Sequence, residues 1–278
     1  MRRILSLCLL GIALSFGLPG DAVAQAAQRS GAFKLAPQRP GEVDVYILSF
    51  GLWGPESVFE SEAKGAARIL EAQIGSKGRT LVLFNGKRRF GAKPASIMAA
   101  AKAAGRALDP AEDVAVLVLT SHGTPEGIGV VAGKDEWLMT PEDVRTVLDE
   151  TRARNRVVIV SACYSGIFAE KLADERTLVI TAAAADKPSF GCEDGATWTY
   201  FGDAFFNKAL PGKVRLDAAF EEARRLVTQR EEREGFDPSN PQMAGGSEVL
   251  ERVITACAAP PVRQACRCAR PSAATAVC

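Results

Sequence analysis

Five short runs of aliphatic and β-branched residues recur along the chain, at 43–49, 80–84, 114–120, 157–161 and 177–181. Runs this apolar, with no polar alternation, have the pattern of strands buried on both faces of a parallel sheet. Each is followed by a segment long enough to cross back as a helix. The pattern predicts an α/β domain: a mostly parallel sheet sandwiched between helices. Open sheets of this kind form their sites at the carboxyl ends of the strands. Two runs deliver reactive residues to that edge. The third leads into Ser121-His122-Gly123, with the only histidine of the chain, and the fourth leads into Ala162-Cys163-Tyr164-Ser165-Gly166.

The intervening segments support the alternation. Residues 58–74 place Phe59, Ala63, Ala66, Ala67 and Leu70 on one helical face. An alanine-rich helix is expected over 95–108, with Pro94 at its start. Thr140-Pro141-Glu142-Asp143 combines a capping hydroxyl, a first-turn proline and acids at the positive end of the dipole, so a helix begins there. Further helices are expected over 166–172, 198–209 and 216–234, and 248–254 is a strand or a helix. A polar, glycine-containing loop interrupts the alternation at 186–197.

The ends of the chain have other purposes. Arg2 and Arg3 precede an apolar run from residue 4 to 18, and Ala22-Val23-Ala24 then offers a cleavage site. This is the layout of a secretory signal peptide over 1–24. The run falls short of the ~20 residues that span a bilayer, so no stable membrane anchor is expected after cleavage. Export to the periplasm or the medium follows. Residues 25–41 read as a flexible lead-in, 42–255 as the catalytic-type domain, and 256–278 as a tail rich in Cys and Pro. That tail holds Cys257, Cys266, Cys268 and Cys278. The oxidising compartment favours disulfides there over a zinc site, which would want other ligand spacing and usually a histidine. Lys plus Arg number 34 and Asp plus Glu 33, so nothing points to nucleic acid. No cofactor or metal motif is present.

A cysteine and a histidine delivered to one sheet edge suggest nucleophilic catalysis. The thiolate is the nucleophile, and an imidazole can take its proton and return one to a leaving amine. Acyl transfer also needs oxyanion donors, for which the amides of Gly123 and Cys163 are candidates. Small neighbours, Ser121, Gly123, Ser161, Ala162, Ser165 and Gly166, are read as leaving room for a peptide.

Thr120-Ser121-His122-Gly123 and Val160-Ser161-Ala162-Cys163-Tyr164-Ser165-Gly166 together resemble the legumain-type cysteine peptidases, family C13, in particular their exported bacterial branch. A third block, Pro188-Ser189-Phe190-Gly191-Cys192-Glu193-Asp194 with Thr199-Tyr200-Phe201-Gly202-Asp203, agrees, as does Asn240-Pro241-Gln242. The resemblance implies a caspase-like fold of about six strands. It implies His122 as base and acid, Cys163 as nucleophile and Gly123 in the oxyanion hole. Ser161, Ser189 and Asp203 are implied around the pocket for the residue before the cleaved bond. Legumains carry Glu where this chain has Ser161, and their supporting Arg-His pair and Asn are not recognisable in 50–58. A basic or amide side chain facing Asp203, Glu193 or Asp194 is the alternative to asparagine. Cys192 reads as a loop residue, although a Cys163–Cys192 disulfide would block activity.

The same dyad would serve a transpeptidase or transamidase, and the same fold could survive as an inactive binding protein. Peptide or protein substrates are the expected partners.

Overall fold

The structure, a computed structural model, describes residues 33–213 and 215–258. The expected leader at 1–24, the lead-in as far as residue 32 and the tail from residue 259 lie outside the described residues, as does the side chain of Cys257.

Five parallel strands form the centre: β1 (Val45–Gly51), β2 (Thr80–Gly86), β4 (Val114–Thr120), β8 (Asn155–Ser161) and β9 (Thr177–Thr181). Short antiparallel strands, β3 (Arg89–Phe90) and β10 (Gln242–Ala244), cover the two edges. The seven-stranded sheet runs β10-β9-β8-β4-β1-β2-β3. The expected mostly parallel sheet is therefore present, with one strand more than expected. The extra pairing comes from β3, a two-residue return after β2 that no apolar run announces.

Period-two alternation splits each strand between two cores. Tyr46, Leu48 and Phe50 of β1 face one side, with Leu117 and Leu119 of β4 and Val158 and Val160 of β8. They meet α2 (Pro94–Ala107), α3 (Pro141–Glu150) and α4 (Gly166–Leu172) through Ile97, Val144 and Phe168. Val45 and Ile47, with Val116, Val118, Val157 and Ile159, face the other side. There they pack on α1 (Ser57–Ile74), α5 (Tyr200–Gly202), α6 (Leu216–Glu234) and α7 (Ser247–Ala258). Residues 247–258, ambiguous in the sequence, are thus helical. Past α5 the helix widens to a π-helical stretch, Asp203–Ala209, in which Leu210 N–H reaches Phe205 O five residues back at 2.9 Å.

The start of α3 is built as its sequence requires. Thr140 Oγ1 accepts from Asp143 N–H, and the Asp143 carboxylate accepts from Thr140 N–H, closing a capping box. Residues 33–38 are not the loose lead-in their composition suggests. Ala36 N–H bonds Gly78 O, Gln38 N–H bonds Ala107 O, and Tyr46 Oη donates to both Ala36 O and Ala107 O.

A second sheet was not foreseen. Strands β5 (Gly123–Thr124), β6 (Gly127–Ala132) and β7 (Asp135–Met139) form an antiparallel meander directly after β4. Gly133 opens the two-residue β6–β7 turn with φ 72°, as such turns require. Because β5 follows His122 at once, this small sheet fixes the loop that carries it. No helix among the described residues is long and apolar enough to cross a membrane.

Candidate active site

Strands β4 and β8 are parallel neighbours, and their register pairs Thr120 with Ser161. His122 and Cys163 each lie two residues beyond that pair, so both leave the sheet at the same edge. Ser121 N–H bonds Ser161 O at 3.2 Å, which extends the pairing one residue past the strand end. Beyond it the two loops touch. A Cβ on Gly123 would stand 2.0 Å from Cys163 O and 3.2 Å from Ala162 Cβ, so only glycine lets the chain after the histidine lie on the cysteine peptide.

The turn after Cys163 is tight. Tyr164 adopts φ 55°, a left-handed conformation that costs a non-glycine residue about 1–2 kcal/mol. Its N–H is held by Lys187 O at 2.8 Å. Ser165 is buried and its hydroxyl accepts from Ala183 N–H, while a Cβ on Gly166 would stand 2.3 Å from Ala185 N. The small residues flanking Cys163 therefore do not open space for a peptide. Ser121, Ser161, Ala162 and Ser165 are all buried, and Ser165 and Gly166 are pressed by residues 183–185 at the exit of β9.

His122 is wedged between aromatic rings. The edges of Trp53 and Phe59 meet it at centroid distances of 4.9 and 5.0 Å. Glu56 Oε2 approaches His122 Nε2 at 3.7 Å, and that oxygen has no hydrogen-bond partner of its own. Glu56 belongs to the loop between β1 and α1, where the sequence reading found no partner for the histidine. It was missed because a lone acid in a short loop follows no periodic pattern. The only available signal was its position at the carboxyl edge beside the histidine strand.

Cys163 Sγ faces the loop 186–197. Ser189 N–H donates to it at 3.2 Å and Ser189 Oγ lies 3.7 Å away, while the thiol points to Ser189 O at 3.4 Å. Of the residues expected around the pocket, Ser189 is thus the one that touches Cys163 Sγ. No hydrogen bond joins His122 to Cys163 in this structure. Cys163 and Cys192 are both free thiols. Burial pushes the Cys192 thiol above its ordinary pKa, and the neighbouring Cys163 adds to the effect. The far end of the same loop is anchored on α1. The carboxylate of Asp194 accepts from the N–H and Oγ of Ser57, the residue after Glu56, and pairs with Lys87. One loop therefore bears on both the cysteine and the acid that faces the histidine.

Ser161 and Asp203 are placed elsewhere. Ser161 is 1% exposed and its hydroxyl shares a hydrogen bond with Thr199 Oγ1 at 3.0 Å. It turns toward the α1 layer, where the carboxylate of Glu62 accepts from Thr120 Oγ1 and Thr199 N–H. Glu62 is completely buried, and burial holds its carboxyl above the ordinary pKa against the hydroxyls of Ser161, Thr199 and Thr120. Asp203 pairs with Lys208 at 2.7 Å and Asn207 at 2.8 Å, with Arg230 at 4.0 Å. Burial would raise its pKa, but these partners outweigh it and hold the carboxyl below its ordinary value. Both Asp194 and Asp203 are thus already matched by cations of this chain. Among the described residues no three His, Cys, Asp or Glu side chains converge as a metal site.

The fold is similar to that of a caspase-1 from Spodoptera frugiperda: at 8% identity, with a TM-score of 0.51, the match covers 77% of this chain and 94% of that one. No curated protein matches the sequence. The description of the Peptidase C13 family matches residues 96–249, more than half of the chain and the whole stretch from the histidine strand through the cysteine strand to the loop beyond. The chain belongs to the peptidase C13 family and is a cysteine peptidase that acts on protein or peptide substrates.

Proposed function

We propose that the chain is an exported endopeptidase working through a Cys163–His122 dyad, with Glu56 positioning the imidazole. The observation that carries this reading is the Thr120–Ser161 register, which brings His122 and Cys163 out at one edge, two residues past the same pair.

The Cys163 sulfur attacks the carbonyl carbon of the scissile peptide, and its proton passes to His122. Glu56 lies at Nε2, which leaves Nδ1 as the nitrogen that exchanges protons. The oxyanion is met by the amides of Gly123 and Cys163. In the β5–β6 pair, Gly129 N–H bonds His122 O, so Gly123 opposite Ile128 is a non-hydrogen-bonded position. Its N–H points away from β6 and is available to substrate. The tetrahedral intermediate collapses as His122 protonates the leaving amine, giving a thioester on Cys163. Water then attacks that thioester with His122 as base, and the new acid leaves.

The test is hydrolysis of a fluorogenic peptide library by the mature protein under reducing conditions. Cys163→Ala and His122→Ala should each abolish turnover, and a peptidyl electrophile should label Cys163 stoichiometrically. Full activity in either variant would overturn the dyad.

A further inference from the structure

A cavity of about 280 Å³ opens beside His122, lined by Trp53, Thr124, Gly129, Trp137 and Leu138 as well as the imidazole itself. Neither Cys163 nor Ser189 belongs to its lining, so it borders the histidine and not the cysteine. At the small end of ligand pockets, which run from ~300 Å³, it has room for one side chain rather than a whole ligand.

Its floor is preformed. Trp53 is bridged to Val131 of β6, with Gly54 N–H on Val131 O and Val131 N–H on Leu52 O. The indole lies over Gly129, where a Cβ would come within 2.5 Å of the ring. The outer wall is costly to maintain without a purpose. Trp137 and Leu138 are 36% and 44% exposed, two large apolar side chains presented to solvent by β7. They also wall a second apolar cavity toward α2 and α3, so the patch extends beyond one residue. An exposed apolar patch that runs up to a reactive group marks a binding surface.

The chemistry of His122 names the occupant. As the tetrahedral intermediate collapses to the thioester, the imidazole hands its proton to the leaving amine, so the residue bearing that amine lies against His122. We propose that this cavity receives the side chain of the residue following the cleaved bond, and that it takes an aromatic or large aliphatic side chain. Glu136 on the rim repels an acidic one. The proposal rests on the dyad reading above and adds a preference that the dyad alone does not imply.

The test uses peptides identical except for that residue, carrying Phe, Leu, Ala or Asp. Phe and Leu should be cleaved with kcat/KM about tenfold or more above Ala, and Asp should be poorest. Leu138→Ala and, separately, Trp137→Ala should collapse the Phe-to-Ala ratio toward one. Leu138→Ser serves as a second variant should either fail to fold. A separate arm avoids turnover: Cys163→Ala protein is titrated with Phe-Ala-amide and Gly-Ala-amide while tryptophan fluorescence is followed, and only the first should bind. Equal rates across the series, with Cys163→Ala inactive, would leave the dyad standing and overturn the subsite. Hydrolysis surviving in Cys163→Ala would overturn the dyad, while the dipeptide titration would still decide the cavity. A dimer that dissociates on Trp137→Ala with no change in the ratio would reassign the patch to self-association and overturn the proposal.

Discussion

Thr120 and Ser161 are register partners across β4 and β8, and both turn their hydroxyls toward the buried carboxylate of Glu62. The two strands that lead to His122 and Cys163 are therefore tied together two residues before those side chains. Thr199 N–H brings the segment that follows the loop 186–197 to the same carboxylate. The sheet supplies the alignment, and a single acid from α1 locks it.

Glu62→Ala should destabilise the protein by roughly 3 kcal/mol, because Thr120 Oγ1 and Thr199 N–H lose their acceptor in a dry site. Glu62→Gln should be tolerated, since its carbonyl can accept from Thr199 while its amide donates to Thr120. Folding raises the pKa of this carboxyl, so its contribution is fullest below the ordinary glutamate value of about 4.3 and falls as pH rises through the raised value. The stability of Glu62→Gln relative to wild type should therefore grow with pH. Urea denaturation from pH 4 to 9 measures both effects.

Glu56→Gln should lower kcat by roughly tenfold, equivalent to about 1.4 kcal/mol, with KM and the unfolding midpoint unchanged. Glu56→Asp keeps the charge and should recover part of the loss. Steady-state kinetics with a thermal melt for each variant would distinguish positioning from damage to the fold.

Gly123→Ala places a methyl group 2.0 Å from the Cys163 carbonyl oxygen, so the two loops must separate. The amide proposed to meet the oxyanion moves with them, and loss of one such donor costs about 10²–10³ in kcat. Active-site labelling of Cys163 should persist while turnover disappears. Unchanged turnover would mean that this amide has no part in the reaction.

Asp194→Ala should free the loop 186–197 from α1. The Ser57 amide first, then Lys87 and the Ser57 hydroxyl, hold this carboxyl below its ordinary pKa. Its contribution is present above the unfolded value near 3.9 and is lost as pH falls through the lower folded one. Limited proteolysis should cut the variant faster than wild type at pH 7, and the difference should vanish at strongly acidic pH.

The parallel strands were legible because burial on both faces leaves unbroken aliphatic runs, and the start of α3 because a capping box is a local signature. The meander β5–β7 was not, since glycines at 127, 129 and 133 and the acids of β7 hide its alternation. His122 and Cys163 stood out by their position after strands. Ser161 was misplaced for a reason the sequence did contain: it shares the parity of Val157 and Ile159, whose side chains face the α1 layer. Glu62 was hidden among the surface acids of α1, and only the fold turns it inward.

The Glu62 cluster also constrains how this chain can have diverged from its legumain-like relatives. The resemblance implies a glutamate in legumains at the position of Ser161, and here the Ser161 hydroxyl faces the carboxylate of Glu62 from α1. The two solutions exclude each other, because Ser161→Glu alone would bury two acids in one dry site. Ser161→Glu should fail to fold, whereas Ser161→Glu with Glu62→Ala should fold, as circular dichroism would show. Any mutational path between the two arrangements must lose one acid before gaining the other. The intermediate along it is a protein with neither, which makes the exchange an epistatic crossing rather than a single step.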